Sequence, residues 1–302
     1  MSAPTKARVQ AAVDRLGYRP NLVATGLRSQ RTHTVALLVA DISNPYYPEL
    51  ARSIGDALAV DGYIPFILNT DGSADRERTY LHEVVARSVD GVIVQAMSIE
   101  PEEIRRIVGR DTPLVVLGGG PGEHAYDQVA TDDVAGIREA VAHLVAVGRT
   151  DLAFLTGPEG SGPSAARLGG FLDAVDGAGL EVRPHRTAYT EFTRDGGVHG
   201  MSTLLDAGPP PDAVLCANDL IAIGAMDVAH ARGLRIPDDV AVVGFDNIET
   251  ADLVTPRLTT IDNYATAVGS VAADVLLDRM RGESGPYRSV ALPTRLVVRA
   301  SA

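Results

Sequence analysis

The most constraining feature of this chain is a rhythm that runs once and then starts again. Short aliphatic runs at Val35 to Val39, Ile64 to Leu68, Val92 to Val94 and Leu114 to Leu117 are interleaved with amphipathic helical stretches near 46 to 61, 75 to 88, 101 to 109 and 133 to 147. The pattern restarts with runs at Leu152 to Leu155, Ala213 to Cys216 and Val240 to Val243, and helical stretches near 163 to 176, 197 to 207 and 219 to 232. Runs this uniformly apolar fit parallel strands covered on both faces. The fold class expected is therefore α/β, with two doubly wound parallel-sheet lobes of similar size. The chain's 302 residues suffice for both plus an appendage, at ~100 to 200 residues per domain.

Such sheets bind ligands beyond the carboxyl ends of their strands. Polar residues stand at those ends: Asp41, Asn69 and Asp71 in the first half, and Thr156, Asn218, Asp219 and Asp246 in the second. Any one of them is more often a helix cap or turn former than a ligand contact. Only the set is informative, and it predicts a polar cleft between facing lobes.

Charge divides the chain unevenly. Residues 1–34 carry six cations against Asp14 alone, a balance of +5, while the whole chain is at −12. A basic arm on an acidic body is the pattern of a protein whose arm alone meets a polyanion; a solvated helix and linker would show the same charge. Within the arm, Val9, Ala12, Val13 and Leu16 recur at helical spacing, with Ser2 placed as cap, Pro4 in the first turn and Gly17 as stop. This stripe has nothing in the arm to pack against. The piece from Asn21 to Ser29 is too short to be a stable helix alone, and Gly26 costs a helix interior about 1 kcal/mol relative to alanine.

Several chemistries are disfavoured. Gly118 to Gly122 follows a strand, but it lacks the Gly-Lys-Ser/Thr ending of a phosphate loop and Pro121 removes a donor. The stretch from Gly157 to Gly162 lacks dinucleotide spacing. The seven histidines show no metal-ligand intervals, and no Gly-x-Ser-x-Gly elbow occurs. Cys216 is the single cysteine, which excludes an intrachain disulfide and a thiolate zinc cluster. No enzyme, metal or cofactor signature is expected. Apolar residues make up 45% of the chain without any ~20-residue apolar span, and the first 30 residues lack the apolar segment of a secretion signal. A cytoplasmic protein without membrane contact is expected.

Seven segments together then carry a resemblance. They are Tyr18-Arg19-Pro20-Asn21, Asp41-Ile42-Ser43-Asn44-Pro45-Tyr46-Tyr47, Asn69-Thr70-Asp71, Asp90-Gly91-Val92-Ile93, Ala217-Asn218-Asp219, Val243-Gly244-Phe245-Asp246 and Leu258-Thr259-Thr260-Ile261. In this order and spacing the chain resembles the lactose/galactose repressor family of bacterial transcription regulators along essentially its whole length. The resemblance implies a helix-turn-helix headpiece, a hinge helix that folds on DNA, and a two-lobed effector-binding core acting as a homodimer. It divides the chain into 1–17, a headpiece remnant; 18–34, hinge helix and linker; 35–149 with 263–287, the N-terminal lobe; and 150–262 with 288–302, the C-terminal lobe.

Carried over by position, Arg167 donates a fork of hydrogen bonds to effector oxygens, and Asp246 and Asn218 accept and donate from the same lobe. Phe192 stacks on the effector's apolar face, and Tyr46 or Tyr47 closes from the opposite lobe, where Asn69 also lies. These types suit a sugar, whose hydroxyls match guanidinium and carboxylate while its C–H face suits a ring. At this level a pentose, a hexose, a phosphorylated sugar and a purine fit equally well. In the arm, the resemblance places Leu27 as a minor-groove wedge with Tyr18, Asn21, Ala24 and Arg28 at DNA-contact positions. Thr25 and Gly26 depart from more helix-prone residues there.

A family headpiece begins roughly 25 to 30 residues further upstream with two helices, the second of which reads base edges. The segment Ser2 to Gly17 matches only the third headpiece helix. The expectation is that translation truly starts upstream and that an internal GTG valine codon was taken for Met1. As written, the chain is expected to bind effector and dimerise but to recognise an operator poorly, since phosphate contacts give affinity without sequence discrimination. The competing readings are a transporter's solute-binding protein, disfavoured by the absent signal segment and by Tyr18 to Asn21, and a cytoplasmic enzyme of doubly wound fold.

Overall fold

The computed structural model describes residues 2–16, 31–120 and 122–302. After a leader helix α1 (Ala3–Leu16) with no buried residue, the chain builds two six-stranded sheets. The first contains β1 (Thr34–Val39), β2 (Ile64–Asn69), β3 (Gly91–Gln95), β4 (Leu114–Leu117), β5 (Asp127–Thr131) and β11 (Ser289–Leu292), in the order β11-β5-β4-β3-β1-β2. The second contains β6 (Leu152–Thr156), β7 (Thr187–Tyr189), β8 (Ala213–Cys216), β9 (Ala241–Phe245), β10 (Thr259–Asp262) and β12 (Arg295–Val297), in the order β12-β10-β9-β8-β6-β7. All pairings are parallel except that of β10 with β12. Helices α2 (Tyr46–Val60), α3 (Ala74–Ala86) and α4 (Pro101–Val108) cover the first sheet. Helices α5 (Asp133–Ala146), α6 (Gly162–Gly177), α7 (Arg194–Asp206), α8 (Asp219–Ala231) and the short α9 (Glu249–Leu253) belong to the second.

The chain crosses between lobes three times, and two crossings fall elsewhere than expected. Helix α5 packs Ile137, Ala140, Val141 and Leu144 into the second lobe's core with Leu152, Phe154 and Phe171. The first crossing therefore lies at Asp132 and not at 149/150. Helix α10 (Ala265–Met280) returns to the first lobe and buries Val268, Ala272 and Leu276 with Leu37, Leu50 and Ile54. Strand β11 then pairs with β5, so the last crossing falls between Leu292 and Arg295 and not at 287/288. The sequence hid both because Asp127 to Thr131 is too polar to read as a strand, so the helix after it looked like a continuation of the first lobe.

Helix starts follow local chemistry. Ser73, Asp132, Thr193 and Asn218 each accept a backbone N–H of the first turn of α3, α5, α7 and α8. Strand β2 departs from the expectation of strands covered on both faces. It is the sheet edge, with Ile64 64% and Phe66 51% exposed and Ile67 beside them. Among the described residues no helix is long and apolar enough to cross a membrane.

The return of the chain to the first lobe is tied by a buried carboxylate. Asp127, 1% exposed, accepts Arg279 Nε at 2.7 Å and Nη2 at 2.9 Å, and the backbone N–H of Arg288 at 2.8 Å, joining β5, α10 and the approach to β11. Removing one member of such a pair strands the other as an uncompensated charge. Asp127→Ala is expected to cost about 3 to 5 kcal/mol, read as a lower urea midpoint with the m-value unchanged.

Candidate functional site

The facing ends of the two sheets bring polar side chains of both lobes together. The second-lobe wall is built around Arg167, which projects from α6 with only 12% of its side chain exposed. Its Nε donates to Asp133 Oδ2 at 2.8 Å and its Nη1 to the carbonyl oxygen of Ala217 at 2.5 Å, while the guanidinium lies 3.8 Å over the Phe245 ring. One cation thus joins the start of α5, helix α6, the end of β8 and the end of β9. Burial works against its charge, and Asp133 with Asp246 overcomes that, leaving its pKa above the ordinary value.

Asp246 follows β9 in a left-handed conformation, φ 105°. Its carboxylate accepts Asn263 Nδ2 at 3.0 Å, and Asn44 of the first lobe lies close enough to act on its pKa. Burial pushes its pKa up to about 7, with Asp133 adding and Arg167 opposing. Behind it, buried Asp219 accepts the backbone N–H of Ile248 at 2.9 Å and Thr260 Oγ1 at 2.6 Å, so the loop carrying Asp246 is clamped to β10. Burial first, and Asp246 second, hold the Asp219 carboxyl well above the usual range.

The first-lobe wall comes from the turn between β1 and α2. Asp41 Oδ1 accepts from Ser43 N and Oγ, and Asn44 Oδ1 accepts from Tyr46 N, which delivers Tyr46 and Tyr47 at the start of α2 as an edge-to-face pair 5.2 Å apart. Both phenols are raised above their ordinary pKa, by burial and then by Asp246. Tyr46 and Phe192 each pack against the cores of both lobes. The seat of Phe192 exists because residue 157 is glycine: a Cβ there would fall 2.2 Å from the ring. Met97 of the first lobe accepts the N–H of Gly162 of the second at 3.4 Å. Nearby Ser161 Oγ and Ser164 Oγ are buried without a partner among the described residues.

Of the residues expected at the site, the structure brings Tyr46, Tyr47, Arg167, Phe192 and Asp246 together. Asn218 lies beneath them with its polar atoms engaged: Oδ1 caps α8 at Ile221 N, and Nδ2 holds the carbonyl oxygen of Phe192 at 3.1 Å. Its observed work is to seat Phe192. Asn69 is spent at the end of β2, where Oδ1 accepts Ile42 N at 2.7 Å and Nδ2 donates to Asp71. Tyr18, Asn21, Ala24, Leu27 and Arg28 lie outside the described residues. Sequence reading missed Asp133, Asn44, Asn263 and Phe245 as site residues. Asn44 and Phe245 stood inside segments already singled out, whereas Asp133 and Asn263 follow strands too polar to recognise.

Two sheet lobes crossed three times by the chain, closing on a buried arginine and paired carboxylates, define a two-lobed small-ligand-binding protein. Residues 141–302 match the periplasmic binding protein-like domain family. The chain is 32% identical to catabolite control protein A of Priestia megaterium over 98% of its own length and 90% of that protein's. Among solved structures it resembles a transcriptional regulator CelR–cellobiose complex at 31% identity, TM-score 0.82, over 100% of this chain and 92% of that one. It also resembles the lac repressor dimer bound to operator and the anti-inducer ONPF at 25% identity, TM-score 0.88, over 100% and 91%. The chain belongs to the lactose/galactose repressor family of transcription regulators.

The titration of Asp246 has a measurable sign. Its folded-state pKa lies above the unfolded value, so between about pH 4 and pH 7 the folded state binds more protons and this group lowers stability as pH rises. Asp246→Asn is expected to remove that component, so the melting temperatures of variant and wild type converge at the acid end and separate in the variant's favour toward pH 8. Parallel curves in a buffer series would contradict the assignment.

Proposed function

We propose that this chain is a DNA-binding transcription repressor controlled by a small effector, a sugar, held between its two lobes. The observation that carries this reading is the convergence of Arg167, Asp133 and Asp246 from one lobe with Asn44, Tyr46 and Tyr47 from the other, in a chain whose relatives along nearly its full length are transcription regulators. Hydroxyl groups find carboxylate acceptors there and Arg167 Nη2, which makes no hydrogen bond among the described residues, and the Tyr46 and Phe192 rings suit a sugar's C–H face. Such relatives, regulators along the full chain, disfavour a transporter's solute-binding role and an enzymatic one. The basic leader is the DNA-facing part, with Tyr18, Asn21, Ala24, Leu27 and Arg28 at contact positions by resemblance, acting in the cytoplasm where the operator lies.

The working form is a homodimer. Strand β2 leaves Ile64, Phe66 and Ile67 exposed along a sheet edge with no strand partner among the described residues, an apolar surface a monomer does not ordinarily keep. The lac repressor neighbour is a dimer on its operator. Two copies joined near β2 give the two-fold arrangement that paired DNA half-sites require. Effector then acts by population shift: it binds one lobe angle better than another, and the equilibrium moves by that difference in affinity.

Two substitutions separate these functions. Arg167→Ala is expected to weaken effector binding by roughly 100-fold or more while the dimer survives, by calorimetry and light scattering. Unchanged affinity would remove Arg167 from the site. Phe66→Asp is expected to yield monomers by light scattering with effector affinity retained. A dimer that persists in both Phe66→Asp and Ile64→Asp would place the interface elsewhere.

A further inference from the structure

A cavity of about 370 Å3 lies beside the second crossing, with Asp246 in its wall. Glu49, Thr266 and Ser270 line it from the first lobe, and Asn247 and Asp262 from the second, with Asp246 as the wall shared with the Arg167 cluster. Its volume is that of a small-ligand pocket, which begins near 300 Å3. The lining is rich in hydroxyl, amide and carboxylate groups and, among the described residues, contains no lysine or arginine.

The nearby cations are already committed. Arg167 is engaged by Asp133 and the Ala217 carbonyl oxygen. Arg299 reaches Asn247 Oδ1 at 2.7 Å from behind, but it also donates to the Leu258 carbonyl oxygen and pairs with Asp252. Glu49 accepts Thr266 through Oε1 at 2.8 Å, and its Oε2 has no other hydrogen bond among the described residues. At the junction stands Asn263, 2% exposed, which donates to Asp246 while its own Oδ1 has no partner among the described residues. The space therefore offers many acceptors, several hydroxyls and, among the described residues, no free positive charge. An anionic group placed there would meet three carboxylates at close range, whereas sugar hydroxyls would find acceptors on both lobes.

We propose that the effector is an uncharged saccharide of more than one ring, with one ring in the Arg167 and Phe192 cleft and the next in the cavity beside Asp246 and Asp262. This rests on the sugar-effector reading above and narrows it, since phosphorylated sugars and single rings no longer fit equally well. The second ring would touch both lobes next to a crossing, where a small contact fixes the lobe angle. The CelR neighbour was solved as a cellobiose complex, which is a two-ring neutral sugar.

The full chain is titrated calorimetrically with α- and β-linked neutral disaccharides including cellobiose and maltose, with glucose, galactose and ribose, and with glucose 6-phosphate. At least one disaccharide should bind about tenfold or more tighter than its constituent monosaccharide, the scale of one or two added hydrogen bonds, with no binding of the phosphate. Ser270 is solvent-exposed on α10, so Ser270→Leu should fill the cavity without disturbing the core and reduce that disaccharide to the monosaccharide's affinity. Thr266→Val, which removes a hydroxyl without adding bulk, should give a smaller loss of a few-fold. A monosaccharide or sugar phosphate that binds as tightly as every disaccharide, or a disaccharide preference that survives both substitutions, would overturn the two-ring assignment while leaving the sugar-effector reading intact. Failure of every saccharide to bind would instead overturn the sugar-effector reading itself.

Discussion

The cleft depends on keeping one buried positive charge paired. Arg167 sits where water is largely excluded, and a guanidinium there is tolerable only because Asp133, the Ala217 carbonyl oxygen and the Phe245 ring surround it. Each partner comes from a different element end, so the pairing fixes the mutual positions of α5, α6, β8 and β9. Asp133 also stands immediately after the first crossing, and Thr131 Oγ1, on the other side of that crossing, donates to its Oδ1 at 2.5 Å. The charge that organises the second lobe's wall is thus anchored to the hinge itself.

Much of this was legible from residues alone because aliphatic runs report buried parallel strands directly. Val35 to Val39, Leu114 to Leu117 and Ala213 to Cys216 lie where the sequence places strands, and the restart of the rhythm marks two lobes. The strands near the crossings were invisible for a physical reason. Asp127 to Thr131 and Thr259 to Asp262 spend side chains on ion pairs and hydroxyl bonds, so they carry no apolar run. Without them, α5 attaches to the wrong lobe and Asp133 loses its place beside Arg167. Asn218 and Asn69 illustrate the opposite error: the position after a strand was rightly noticed, but capping and turn geometry consumed the side chains.

Asn69 nonetheless links two regions that the functional reading needs. It ends the exposed edge strand β2, and its Oδ1 holds the Ile42 amide at 2.7 Å in the turn that delivers Asn44, Tyr46 and Tyr47. Strands β1 and β2 run in register from Thr34 with Ile64 to Val39 with Asn69. The aromatic pair is therefore joined to the sheet edge through one pair of strands and one short turn. Packed cores deform in discrete steps rather than continuously, which suits such a path to a two-state output.

The buried groups between the lobes suit the polar effector proposed above. Between the lobes Asp246 is desolvated and faces Asp133, and the Asn263 amide with the opposing Arg167 charge does not fully compensate, so its pKa lies near neutrality. The packed lobes thus leave a carboxylate short of donors, alongside the hydroxyls of Ser161 and Ser164, which have no partner among the described residues. A ligand rich in hydroxyl groups supplies donors to the first and acceptors to the second, and it does so only when both walls are within reach. Under the proposed regulation, the affinity gained by completing these groups would be the free energy available to move the equilibrium between lobe angles.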